Sequence, residues 1–121
     1  MSTPQAYPVR DPVKVEALIE DTKDRIAASV VIVDEAEQDM KTCRRVYDHK
    51  FASAMRDATG PEYVRKAEAT IAAMQAKEEA DLAEVAFHHA QREARSLEKE
   101  LFAWQSILNS VKAMWNATGS R

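Results

Sequence analysis

Between Pro12 and Trp115 only one site can break a helix, the Gly60-Pro61 pair. The chain has two glycines and four prolines, and three of the prolines fall within the first twelve residues. Proline removes a backbone donor and glycine weakens a helix interior, so their absence elsewhere leaves two long segments free to stay helical. The spacing predicts an all-α chain: helix one over about 12–57, a corner at 58–61 and helix two over about 61–116. Residues 1–10, with Pro4 and Pro8, read as a flexible N-terminal arm, and 117–121 as a frayed tail.

Local signals mark the ends. Asp11 precedes Pro12, a pairing suited to a helix start because the carboxylate can accept from free backbone N–H groups. At the corner, Thr59 followed by Glu62 fits a capping box, with Pro61 in the first turn.

The apolar residues then set the packing. In helix one Val15, Ile19, Thr22, Ile26, Ser29, Val33, Ala36, Met40, Cys43, Tyr47, Lys50 or Phe51, and Ala54 recur at steps of four and three. This is a coiled-coil repeat in which large residues alternate with small ones. In helix two the same steps run through Ala69, Ala73, Ala76, Ala80, Ala83 and Phe87, then through Leu97, Leu101, Trp104, Leu108, Val111 and Trp115. Folding back at the corner would set the alanines opposite Phe51, Tyr47, Met40 and Val33. It would set Leu97, Leu101 and Trp104 opposite Thr22, Ile19 and Leu18. Large against small is what interdigitated packing needs. The expected fold is an antiparallel two-helix coiled-coil hairpin.

A second stripe, Val64, Ala67, Ile71, Met74, Leu82 and Val85, lies on the side of helix two away from the alanines. One partner helix cannot cover both stripes. Two helices alone bury little, and small scaffolds usually gain a further staple such as oligomerisation. The expectation is self-association, as a homodimer or higher oligomer forming a helical bundle.

The candidate chemistry is thin. Asp81, Glu84 and His88 share a helix face, but a good metal site needs three or four protein ligands with outer support. No metal and no cofactor is expected. Cys43 sits in the seam, where cysteine acts as a small hydrophobe. No phosphate loop, nucleophile motif or dinucleotide fingerprint occurs, so the chain reads as non-enzymatic. Trp104 and Trp115 read as core, or as anchors of a subunit interface.

Charged residues make up 31 % of the chain and the net charge is -3. Arg44, Arg45, Lys50, Arg92 and Arg95 could track a phosphate backbone. Against this stand the acid-first pairs of a solvated helix: Asp21 with Arg25, Glu37 with Lys41, Glu62 with Lys66. The first twelve residues hold no apolar signal core and no run is long enough for a membrane span. With a single cysteine, the expectation is a soluble cytoplasmic protein that does not engage a membrane.

The stretch from Tyr63-Val-Arg-Lys-Ala through Asp81-Leu-Ala-Glu-Val-Ala-Phe, then Leu97-Glu-Lys-Glu-Leu and Trp104-Gln-Ser-Ile, resembles small helical coiled-coil proteins of tailed phages infecting actinobacteria. The resemblance spans residues 63–114. It implies a phage-encoded protein made in the host cytoplasm, in DNA metabolism or host takeover, and assigns no functional residue. The reading that follows is an interaction protein docking on another protein through Val64, Ile71, Met74, Leu82 and Val85, with Trp104 and Trp115. The alternative is an accessory nucleic-acid-binding factor in phage replication or recombination.

Overall fold

A computed structural model describes residues 11–119, and these are all-helical: α1 is Pro12–Asp57, α2 is Glu62–Ala72 and α3 is Met74–Gly119. The expected arm over 1–10 lies outside the described residues, as does the last part of the expected tail. Contacts divide the chain into two units, Val31–Gln91 and Met1–Val30 with Arg92–Arg121.

α1 starts on Asp11. The Val13 N–H donates to the Asp11 Oδ1 at 3.0 Å, and the Val15 N–H to the Asp11 carbonyl at 3.0 Å. These bonds satisfy donors that a helix start leaves without partners. Arg56 occupies the last turn, where a cation suits the negative end of the helix.

The corner differs from the sequence reading. Pro61 itself caps α2 at φ -61° and ψ 157°, without a side-chain bond, and its carbonyl accepts from the Val64 and Arg65 N–H groups at 3.1 Å. The proline ring fixes an extended cap, which displaces Thr59 from the capping position and makes Glu62 the first helical residue. The Thr59–Glu62 capping box is therefore not formed. Gly60 turns the chain at φ +103°, and a Cβ there would meet nothing within 4 Å. The cost of a side chain at this position is conformational. Gly60→Ala is expected to destabilise by about 1–2 kcal/mol in urea unfolding followed by circular dichroism.

Helix two is also not continuous. Ala73 takes φ -97° and ψ 6°, so α2 ends at Ala72 and α3 begins at Met74. The ladder survives across the joint, because the Ala73 N–H still donates to the Ala69 carbonyl and the Lys77 N–H to the Ala73 carbonyl. No glycine or proline causes it. The far end of α3 runs to Gly119, beyond the expected limit at 116. Asn116, Ala117 and Thr118 contain no breaker, and Gly119 is the first residue that could stop the helix.

In the unit Val31–Gln91, α1 packs on α2 and the start of α3. Ala69, Ala73, Ala76 and Ala80 are buried, as is Met40. Tyr47 and Phe51 are half-buried, with ring centres 6.1 Å apart. The side chain of Lys77 lies over the Tyr47 ring at 5.5 Å. The Arg65 guanidinium donates to the Met55 carbonyl. Alanines on one helix leave room for the large residues of the other. Lys50 is exposed and Phe51 takes its place at the seam.

In the other unit, Val15, Ile19, Val111 and two hydroxyl residues line the seam. Thr22 is 1 % exposed, and its Oγ1 lies 2.8 Å from the Leu18 carbonyl and 3.2 Å from the Glu100 Oε2. One proton serves one acceptor at a time, and the shorter contact is the better bond. Ser29 donates to the Ile26 carbonyl at 2.7 Å. Bonding back to their own helix lets both hydroxyls sit in an apolar seam at little cost. Among the described residues no buried side-chain polar atom lacks a partner.

Candidate interaction surfaces

The outer stripe of α2 and α3 is built by spacing alone. Ile71, Met74 and Leu82 lie one or two positions from buried alanines, and Val85 two positions from the half-buried Ala83, which turns all four away from the seam. Ile71 is 69 % and Leu82 70 % exposed, and Met74 and Val85 are exposed as well. Val64 is half-buried. All five belong to the unit Val31–Gln91. Tyr63, at the start of α2, adds an exposed ring that the sequence reading did not include.

The tryptophans part company. Trp104 is half-buried in its unit. Trp115 is 57 % exposed, which corrects its reading as core. The reason lies in the pairing within that unit. Lys112 already reaches Glu16 at 3.6 Å, so the position opposite Trp115 is the first turn of α1, and Val13 there is itself exposed. Phe102 and Met114 are further exposed apolar side chains of this unit.

The basic residues are divided between the two units. Arg44 points across to α3 and pairs with Glu84 at 3.1 Å. Arg45 and Lys50 are exposed on α1 in the same unit, while Arg92 and Arg95 are exposed in the other. Arg44 is thus already neutralised by a carboxylate. Cross-helix pairs of this kind, with Arg25–Glu100 at 3.1 Å, are what the sequence reading missed. Their signal was available in the charged positions that flank each seam residue. Asp21–Arg25 and Glu37–Lys41 pair within α1 at 3.9 and 3.4 Å. Among the described residues Glu62 and Lys66 make no such pair.

Glu84 also lies 3.6 Å from the His88 Nε2. The hydrogen bond and charge of Arg44 hold its carboxyl below the ordinary glutamate range. A carboxylate with a lowered folded-state pKa stabilises the fold above the unfolded-state value. That contribution disappears as pH falls through the lowered value. NMR titration should find Glu84 titrating below a free glutamate, and Arg44→Gln should move it back up. An unmoved Glu84 in that variant would show that Arg44 is not the cause.

Among the described residues no group of three or more His, Cys, Asp and Glu could hold a metal ion. Surface grooves are lined largely by charged side chains, such as Asp34, Glu35, Gln38 and Asp39 on α1. Small-molecule sites are mostly apolar and concave. No helix among the described residues is long and apolar enough to cross a membrane. Comparison with family models, with curated proteins and with solved structures finds no match to this chain.

Proposed function

We propose that this chain is a non-enzymatic helical interaction protein. It is read as an antiparallel coiled-coil hairpin that docks on another protein through the outer stripe Val64, Ile71, Met74, Leu82 and Val85. The observation that carries this reading is the exposure of that stripe beside a thin core. Of the buried apolar side chains, most are alanine, whereas Ile71 and Leu82 stand mostly in water. Clustered exposed apolar residues mark interaction sites, while scattered ones do not.

Self-association into a bundle is the companion proposal, with Trp115 as its anchor. Burying a tryptophan at an interface contributes strongly to binding. A dimer in sedimentation that Trp115→Ala dissociates would support it. A monomer at micromolar concentration would refute it. The setting we infer is a host cytoplasm, in keeping with the phage resemblance of residues 63–114.

Docking is tested by comparing proteins recovered on the wild type with those recovered on Ile71→Glu plus Met74→Glu. The wild type should retain a partner that the variant loses. Equal recovery would count against the stripe. The nucleic-acid reading rests on the exposed Arg45, Lys50, Arg92 and Arg95. It requires a band shift at about 50 mM salt that weakens steeply as salt rises.

A further inference from the structure

From Tyr63 to Val85 the outer face carries apolar side chains, Gln75 and acids, while the lysines and arginines of the stretch fall nearer the seam by their helical positions. Glu68, Glu78 and Glu79 border or interrupt the stripe of Ile71, Met74, Leu82 and Val85. Among the described residues none of these three glutamates is in an ion pair. The basic residues of the same stretch go elsewhere. Arg65 donates to the Met55 carbonyl on α1, and Lys77 is drawn over the Tyr47 ring and toward Asp81. Lys66 is exposed, and its position one turn before the buried Ala69 sets it off the line of Ile71 and Met74.

An apolar stripe edged by one sign of charge selects its partner. We propose that this face receives an amphipathic helix whose apolar residues are flanked by lysine and arginine. A second copy of the same face would set glutamates against glutamates, and such like-charge contacts are costly. A nucleic acid or an anionic lipid surface would be repelled by the same carboxylates. Apolar anchors at helical spacing suit a helix lying along the stripe.

The inference rests on the docking reading and adds the charge of the partner. Its test uses the full chain and three synthetic helices of about 18 residues, built from leucine with lysine, glutamine or glutamate. Affinities are measured by calorimetry. The leucine-lysine peptide should bind most tightly. Glu68→Gln, Glu78→Gln and Glu79→Gln together should weaken it about tenfold. Asp34→Asn, Glu35→Gln and Asp39→Asn, which remove acids from α1, should leave it unchanged. Ile71→Ser with Met74→Ser should abolish binding while circular dichroism stays the same.

If all three peptides bind alike and lose affinity with the serine pair, docking stands and the charge inference falls. Equal weakening by the two acid-removing variants also overturns it, since the attraction would then be general. If no peptide responds to the serine pair, both readings fall. A dimer in sedimentation that depends on Ile71 and Met74 would assign the face to a second copy and overturn the proposal.

Discussion

Met40→Ala is expected to lower stability by about 2–5 kcal/mol. Met40 is the largest side chain buried in the seam of the unit Val31–Gln91, where the facing helix offers mostly alanines. Truncation leaves a space that alanine methyl groups cannot fill. The transfer term is lost and a cavity term is added. The narrow seam cannot close without moving two helices together along their length. The fall should appear in the urea midpoint with little change in slope, because the surface exposed on unfolding is nearly the same. A change below about 0.5 kcal/mol would place Met40 at the surface rather than in the seam.

The second large effect comes from adding volume instead of removing it. Ala73→Leu is expected to destabilise by about 1–3 kcal/mol through overpacking. Ala73 is 0 % exposed and sits at the joint between α2 and α3, where its backbone already departs from helical angles. A leucine there has no room unless α1 moves away. Its neighbour Ala72 is exposed, so Ala72→Leu should change stability by less than about 0.5 kcal/mol. The pair compares the same chemistry at a buried and an exposed position next to each other in the chain. Equal effects at the two positions would contradict the assignment of the alanine face to the seam.

These two sites show what the sequence makes legible. The step of four and three through Ala69, Ala73, Ala76 and Ala80 marks buried positions because the same period continues into the large residues Phe87, Leu97 and Leu101. The same arithmetic turns Ile71 and Leu82 outward. Asp11 and Pro12 mark the start of α1 through donor satisfaction, a local effect that needs no tertiary information. Features that depend on the partner helix were hidden. The joint at Ala73 contains no breaking residue. The cap on α2 falls to Pro61 because its fixed φ favours an extended cap over the Thr59 side chain. Trp115 lies on the apolar period but stands at the end of the pairing, where α1 has only its first turn to offer. Arg44 looked like a phosphate contact until Glu84 faced it. Periodicity states which face is apolar; what covers that face depends on the lengths of both helices and on the offset between them.

The proposed hairpin requires large side chains of α1 to nest against the alanines that follow the corner. The most direct test is a filtered NOE experiment on an equal mixture of labelled and unlabelled chains. The Tyr47 ring and the Ala80 methyl group line one groove with Lys77 and Arg44. Cross-peaks from the Tyr47 ring to Ala80 and Lys77 are expected within a single chain. Absence of those cross-peaks, or their appearance only between different chains, would contradict the fold-back at the corner.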